Sequence, residues 1–173
     1  MRAVVQLQTI VRCYALIVIA RKAAGKLYEF QTAQIGAHMG WYLCTIASTS
    51  KNNWELCKVS QTWGINTKAE YSSKDRARKG DNLLFWLGGK GFVGYAKVSE
   101  DTRPPHTLGE TPWMGGQERY GLVIPLKELT VFEAPKMLKF INRRQEKTGL
   151  DQSMFQRGYM PITDVSANAA MEA

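Results

Sequence analysis

The chain has 173 residues, of which 45% are hydrophobic and 22% are charged, and its formal net charge is +8. This length suffices for one globular domain with a sizeable core and is too short for two comfortable ones. The charge favours a polyanionic partner, above all nucleic acid, over a membrane, because no basic amphipathic helix with a strong apolar face is evident; the alternative is that the charge only maintains solubility.

Residues 1–38 are an N-terminal extension of uncertain role. Within it, Cys13–Ala20 is an apolar run of eight residues, whereas about 20 are needed to span a bilayer. Basic residues flank the run and no clear small-residue cleavage site follows, so we expect an ordinary buried helix or strand and not a secretory signal. Met39 is a second candidate for the natural start, because the recognisable motifs begin at Gly40.

A strand and a short helix are predicted next. Trp41–Ala47 is rich in β-branched and aromatic residues, which is typical of a buried strand. Asn52 or Asn53 is expected to cap the helix, because an Asx side chain accepts hydrogen bonds from the free N–H groups of the first turn. Trp54 and Cys57 then fall at helical spacing, and Trp54 is predicted to belong to the core.

The helix is expected to end before Thr62-Trp63-Gly64-Ile65, a turn-like context in which Trp63 belongs to no core periodicity. Two interpretations of this tryptophan remain open: a buried core residue and a residue beside a ligand pocket. Residues 66–79 are polar and largely basic, which predicts a surface loop or a short helix. The candidates for nucleic-acid backbone contact in this segment are Arg76, Arg78 and Lys79.

A β-hairpin is predicted from residues 82–87 and 92–98. The intervening Gly88-Gly89-Lys90-Gly91 needs positive φ angles, which glycine adopts without strain. A phosphate-binding P-loop is not expected because this segment joins two strands and opens no helix. Lys90 can reach a phosphate from the tip, although a plain hairpin tip is the ordinary alternative. Trp86 fits the apolar face of its strand and is predicted to be core.

Residues 100–118 are rich in proline and glycine and predict a long loop. A loop of this length inside a compact domain is usually functional or disordered. Trp113 is expected to be exposed there, because its neighbours Pro112 and Gly115-Gly116 offer no side chains that pack a core. The loop is therefore a candidate for one wall of a ligand pocket.

The C-terminal third is predicted to begin with a strand over 120–126. A helix is expected from Pro135 to about Lys147 and is closed by Gly149, because proline suits the first turn and glycine the end of a helix. Asp151 is expected to cap a last short helix through Phe155. Residues 165–173 are rich in alanine and are predicted to be a flexible tail.

Catalytic chemistry has little support in the sequence. There is no Gly-x-Ser-x-Gly motif, no Walker loop and no pair of carboxylates between apolar residues. Cys13, Cys44 and Cys57 lie far apart and lack metal-ligand spacing, so they predict reduced, mostly buried thiols in a cytoplasmic protein. His38 and His106 are the only histidines, which excludes a multi-histidine metal site. We expect no catalytic residues, no metal and no cofactor.

Four motifs follow the first strand in order: Asn52-Asn53-Trp54-Glu55-Leu56-Cys57, Thr62-Trp63-Gly64-Ile65, Lys79-Gly80-Asp81-Asn82-Leu83-Leu84-Phe85-Trp86 and Gly91-Phe92-Val93-Gly94-Tyr95-Ala96-Lys97-Val98. In this order they resemble an EVE domain, a member of the PUA-like superfamily that includes the YTH readers of modified bases. The resemblance spans about residues 39–164 and leaves residues 1–38 without a counterpart. It implies an α+β fold, a small curved β-barrel with flanking helices.

The resemblance also implies an aromatic cage that receives a modified base. The two cage tryptophans of the YTH relatives correspond to Trp63 and Trp113 in this sequence. An asparagine that reads the base edge in those relatives corresponds to Asn53. The further residues implied by the resemblance are Ser48, Thr49 and Gly64 for the pocket and Arg157 for the phosphate backbone.

The function implied is that of a non-catalytic DNA-binding reader that flips a modified base, foremost 5-methylcytosine, into the cage. Bacterial EVE-like domains are associated with modification-dependent restriction, so a separate nuclease subunit is a candidate partner. Two alternatives remain open: an RNA-binding module that reads methylated RNA, and an enzyme that processes nucleic acid. Competition between matched RNA and DNA oligonucleotides distinguishes an RNA-binding module from a DNA reader. Nicking of a methylated plasmid tests for an enzyme.

Overall fold

The protein is described from a computed structural model that covers residues 39–66, 76–139 and 144–172. These residues belong to one compact unit, Met39–Ala173. The predicted extension 1–38, with Cys13 and His38, lies outside the described residues, and so does most of the predicted basic loop 66–79.

Six strands are the main regular elements of the described structure. In chain order they are β1 Trp41–Ile46, β2 Thr62–Ile65, β3 Asn82–Leu87, β4 Gly91–Val98, β5 Leu122–Lys136 and β6 Tyr159–Ile162. The helices are α1 Asn52–Ser60, α2 Gly116–Arg119, α3 Arg144–Thr148 and α4 Asp164–Glu172. Short 3-10 helices occupy Ser48–Ser50, Leu108–Glu110 and Gln152–Gln156.

The strands form one mixed sheet in the order β2-β5-β4-β3-β1-β6. Strands β1 and β3 are parallel, and the other neighbouring pairs are antiparallel. The sheet is curled into a half-barrel with helices beside it. The predicted α+β fold, a curved PUA-like barrel with flanking helices, is therefore confirmed.

Apolar side chains of β3 alternate between the two faces of the sheet, because successive residues of a strand point in opposite directions. Leu83 and Phe85 belong to one buried group, here called the Phe85 cluster, which also contains Trp54. Leu84 and Trp86 belong to a second group, the Trp86 cluster. Trp54 and Trp86 are 5% and 7% exposed, so both core predictions are confirmed.

The hairpin of β3 and β4 has the predicted glycine-rich tip. Gly89 and Gly91 have φ angles of +77° and +112°. A Cβ atom at Gly91 would also lie 2.4 Å from the carbonyl oxygen of Lys136, so glycine is required there for space as well as for conformation. Lys90 is exposed at the tip.

Helix α1 is present as predicted, but it begins at Asn52 and lacks the predicted cap. Its N-cap residue is Lys51, and no side chain of the described residues caps this helix. The preceding 3-10 helix Ser48–Ser50 leads directly into it, and the N–H of Trp54 donates to the carbonyl of Lys51 at 3.2 Å. Asn52 and Asn53 therefore lie already inside the first turn, and the prediction that either caps the helix is wrong.

The predicted helix start at Pro135 is also wrong. Strand β5 continues through this proline, and its residue Lys136 pairs with Phe92 of β4. Pairing with a neighbouring strand outweighs the local preference for a helix start. The described part of helix α3, Arg144–Thr148, is followed by Gly149 at φ +71°, so the predicted glycine at its C-terminal end is confirmed.

The alanine-rich C-terminus is helical, although a flexible tail was predicted for 165–173. Helix α4 spans Asp164–Glu172, and Ala167 and Ala170 are fully buried. Alanine has the highest helix propensity and lets a helix approach its neighbours closely. The tail prediction is wrong because these small side chains pack against the domain, which consequently extends beyond residue 164.

The two described cysteines are buried thiols, as predicted. Cys44 lies in β1 and Cys57 in α1, and neither forms a disulfide. Burial raises the pKa of the Cys57 thiol to about 12 and raises that of Cys44 well above its usual value. Both therefore stay protonated at neutral pH, and a thiol is a poor nucleophile.

Candidate nucleic-acid-binding pocket

A partly open cavity of about 590 Å³ is lined by residues of strands β1, β2 and β6 and of the loops near them. This volume is within the range of pockets that bind small molecules. The walls come from segments far apart in the chain. The lining residues are Thr45, Ile46, Ala47, Ser50, Asn53, Trp63, Gly64, Ile65, Asn66, Trp113, Arg119, Tyr120, Phe155, Gln156, Arg157, Gly158 and Tyr159.

Trp63 lies in strand β2 and not in a turn. Its ring is 7% exposed and packs against Phe85 with 5.6 Å between ring centroids, and it also lines the cavity. The core and pocket interpretations thus apply to the same side chain. Its buried Nε1 has no hydrogen-bond partner among the described residues. An unpaired buried donor costs about 1–3 kcal/mol, which offsets part of the stability that burial of the ring contributes.

Trp113 is 4% exposed, and the prediction that it is exposed is wrong. The loop folds back onto β2, and the ring lies against the backbone of Gly64, where a Cβ atom would be 2.6 Å from Cζ3. Its other neighbour is Tyr120, with ring centroids 5.1 Å apart and an interplanar angle of 57°. The indole Nε1 donates to the carbonyl oxygen of Asn53 at 3.3 Å. The missing side chain of Gly64 therefore makes room for Trp113.

The structure brings most of the predicted pocket residues to one cavity. Those that line it are Asn53, Trp63, Gly64 and Trp113. Ser48 does not: it is exposed, and its backbone N lies 2.8 Å from where a Cβ atom of Gly88 would be. Thr49 is likewise exposed and outside the lining, whereas Ser50 belongs to it. The 3-10 conformation of this segment separates the three residues.

Arg157 also lines the cavity, as an exposed residue that follows the 3-10 helix Gln152–Gln156. Asp151 caps this helix as predicted, since its carboxylate accepts from the N–H groups of Ser153 at 2.7 Å and Met154 at 3.2 Å. The pKa of Asp151 is lowered, first by a hydrogen bond from the Ser153 side chain and then by those from the backbone N–H groups of Met154 and Ser153. The short helix therefore fixes the segment that carries Arg157.

A buried arginine supports the same segment from behind. The guanidinium of Arg144 lies 3.9 Å from the ring centroid of Phe155, which lines the cavity, and 5.3 Å from that of Trp86. Arg144 also donates a hydrogen bond to the side-chain oxygen of Gln152. Burial lowers the pKa of its guanidinium. Arg144 thus positions the cavity wall without reaching the cavity itself.

Sequence reasoning did not single out Arg119 and Tyr120 as pocket residues. Helix α2 returns the chain to the cavity, and the Arg119 guanidinium lies 5.4 Å from the Tyr120 ring centroid. A basic and aromatic pair shortly after a tryptophan and two glycines is the local signal for them. The other basic candidates, which are exposed and outside the lining, are Arg76, Arg78, Lys79 and Lys90.

The EVE domain family model matches residues 42–173. The chain belongs to the EVE domain family. The predicted resemblance is confirmed, and the match includes helix α4 beyond the predicted boundary at residue 164. No curated protein sequence matches the chain significantly.

Three solved structures illustrate the similarity of this EVE domain to known folds. A protein from Pseudomonas syringae is 15% identical with a TM-score of 0.50, over 76% of this chain and 97% of that one. A hypothetical protein from Leishmania major is 13% identical with a TM-score of 0.52, over 78% and 93%. A YTH domain of Zygosaccharomyces rouxii in complex with N6-methyladenosine RNA is 11% identical with a TM-score of 0.45, over 78% and 86%. The first two share the fold.

The loop of the EVE domain that carries Trp113 is held in place by an ion pair. Arg103 donates two hydrogen bonds to the carboxylate of Glu110, at 2.8 and 3.1 Å, and Glu110 also accepts from the N–H of His106 at 2.6 Å. The hydrogen bond from Arg103 is the largest cause that lowers the pKa of Glu110 to about 2. The loop is thus ordered, and its ion pair lies three residues before the tryptophan.

Stability of the EVE domain is expected to depend on the ionisation of Glu110. Its folded-state pKa lies below its usual value of 4.5, so its contribution is full above pH 4.5 and is lost as the pH falls towards 2. Glu110→Gln should therefore flatten the fall in melting temperature over this range. Glu128→Gln, which removes an exposed ion pair with Lys97, should keep the wild-type slope. Equal slopes for wild type and Glu110→Gln would contradict this role.

Two features are absent from residues 39–66, 76–139 and 144–172. Within these ranges, no three or more His, Cys, Asp or Glu side chains are grouped so as to hold a metal ion. Nor does any helix there have the length and apolar character needed to cross a membrane.

Proposed function

We propose that this EVE domain is a non-catalytic reader that binds duplex DNA and takes one flipped base, 5-methylcytosine, into the cavity. The observation that carries the proposal is the cavity lining, which combines the rings of Trp63, Trp113 and Tyr120 with the cations of Arg119 and Arg157. Aromatic rings offer stacking surface to a planar base. Arginine side chains beside them suit the phosphates on either side of that base.

The free energies of the steps indicate that phosphate contacts are needed. Flipping a base out of a duplex costs a few kcal/mol, and stacking on aromatic rings returns about 1–3 kcal/mol per base. Charge neutralisation along the backbone supplies the remainder. The net charge of +8 favours it, and we extend the proposed backbone contact to the exposed basic residues Arg76, Arg78, Lys79 and Lys90.

Asn53 is the proposed reader of the base edge. It is half-buried at the cavity, and its side-chain amide offers both donors and an acceptor. Burying one methyl group contributes about 0.8 kcal/mol, and apolar pockets distinguish one methyl by roughly 10–200-fold. Unmodified DNA should therefore bind as well, but weakly and with a strong dependence on salt.

We extend the proposal to a partner in modification-dependent restriction. A reader of this kind marks a site and leaves strand cleavage to another chain, so a separate nuclease subunit is the partner that we propose. Purified alone, the EVE domain should leave a methylated plasmid intact in the presence of magnesium.

A titration tests the proposed ligand. Labelled duplexes that carry cytosine, 5-methylcytosine, 5-hydroxymethylcytosine or N6-methyladenine at one position are titrated at several salt concentrations, with matched single-stranded DNA and RNA. The 5-methylcytosine duplex should bind at least about tenfold more tightly than the unmodified one, and log K should fall linearly with log salt. Equal affinity for all duplexes would overturn the modified-base proposal. A preference for methylated RNA would make the protein an RNA reader.

A further inference from the structure

We propose that Met114 is a wedge that enters the DNA base stack when the target base leaves it; this inference rests on the proposed function of the cavity. Met114 is 87% exposed, more than any other large hydrophobic residue that the structure describes. It directly follows Trp113, whose ring is 4% exposed in the cavity wall. The exposed apolar side chain of Met114 thus directly follows the buried ring of Trp113.

The turn that presents Met114 is fixed at both ends. On one side, Trp113 is held through its Nε1 bond to the carbonyl of Asn53. On the other, the N–H of Gly116 donates to the carbonyl of Trp113 at 2.9 Å, and Gly115 has a φ angle of +94°. Arg119 lies over Gly115, since a Cβ atom there would be 2.9 Å from its Cβ. Met114 therefore stands at the apex of a short, closed turn.

Position, and not exposure alone, indicates a function, because single exposed apolar residues are common on protein surfaces. Met114 lies between Trp113 and Arg119 in the chain, and both line the cavity. Consecutive Cα atoms are about 3.8 Å apart, so the exposed Met114 lies directly beside the cavity wall. A strand with one base in the cavity and a phosphate at Arg119 would thus bring the neighbouring base step to Met114.

A wedge suits the chemistry of base flipping. Extrusion of a base leaves a gap between its neighbours, and proteins that unstack DNA insert apolar side chains, methionine among them, between base steps. Methionine is unbranched and adapts to irregular gaps. Filling the gap buries the thioether and replaces part of the lost stacking contact. Met114 would lower the cost of flipping without touching the flipped base.

A wedge contributes to binding only when the bases are stacked in a duplex. A direct contact with the flipped base would contribute to the binding of a single strand as well. Met114→Ala should weaken binding to the 5-methylcytosine duplex by about tenfold. It should leave binding to the same methylated sequence as a single strand unchanged, and the loss should shrink when the target base faces an abasic site in the duplex. Leu108→Ala is the matched control, because Leu108 is 77% exposed in the same loop but neither of its chain neighbours lines the cavity, whereas Met114 directly follows Trp113.

The duplex and single-strand measurements distinguish failure of the wedge from failure of the proposed function. An equal loss for duplex and single strand, or no loss for either, overturns the wedge. If Met114→Ala has no effect while the wild type still prefers the methylated duplex, the proposed function stands and the wedge fails. A wild type without any methyl preference overturns the proposed function, and the wedge with it.

Discussion

Replacing Trp63 by leucine is expected to abolish the preference for a methylated duplex, whereas Trp54→Leu is expected to preserve it. The two tryptophans are closely matched in the core. They are 7% and 5% exposed, and their ring centroids lie 5.6 and 5.0 Å from that of Phe85. Only Trp63 lines the cavity. The pair therefore separates loss of a base-stacking ring from loss of core packing.

Both variants will be less stable, because removing a large buried aromatic side chain costs about 3–5 kcal/mol when it is truncated to alanine, and leucine keeps part of the volume. Denaturant unfolding first establishes that each variant is folded under the binding conditions. Loss of stacking worth about 1–3 kcal/mol should then weaken binding of the methylated duplex by roughly 5–150-fold for Trp63→Leu alone. The salt slope should persist, since the phosphate contacts remain. Similar binding losses in both variants would reduce Trp63 to a core residue.

The second large effect is expected from Gly64→Ala, which adds one methyl group and removes nothing. That Cβ atom would lie 2.6 Å from Cζ3 of Trp113 and 2.8 Å from Cδ1 of Tyr120. The Trp113 ring is held by its hydrogen bond to Asn53, so it cannot yield without losing that bond. Overpacking of this kind typically costs about 1–3 kcal/mol. We expect a lower melting temperature together with loss of methyl-dependent binding.

Gly109→Ala is the matched control for this substitution. The nearest atom to its Cβ would be Oγ1 of Thr107 at 3.8 Å, an ordinary contact. This variant should bind and melt like the wild type. In the double variant Gly64→Ala/Trp113→Leu, the smaller side chain relieves the overlap with Trp113, so the loss of stability should be less than the sum of the two single losses, while binding is not restored. Wild-type binding by Gly64→Ala would exclude Trp113 from the base site.

Local sequence rules correctly predicted the elements that depend on interactions between residues close together in the chain. The hairpin follows from the glycines at its tip, and the cap by Asp151 follows from a carboxylate next to free N–H groups. The end of helix α3 follows from Gly149 in the left-handed region. In each case the partner atoms lie within a few residues. The family resemblance likewise depended on the order of short motifs.

Elements with distant partners were not predictable in this way. Trp113 is buried because β2, far back in the chain, offers it the bare backbone of Gly64. Strand β2 itself exists through its pairing with β5, and Pro135 lies in a strand because β5 pairs with β4. The composition of a loop does not show which surface it will fold against. For the same reason Ser48 was placed in the pocket and Arg119 was not.

The cavity walls are assembled from pieces of chain that lie far apart, with more than a hundred residues between Thr45 and Arg157. Bringing such pieces together requires closure of long loops, which favours late completion of the site during folding. No short fragment of the chain can therefore form the cavity. Recognition and global unfolding are therefore linked equilibria: any oligonucleotide that occupies the cavity adds RT ln(1 + L/Kd) to the free energy of unfolding, where L is its free concentration, and so raises the melting temperature of the whole domain.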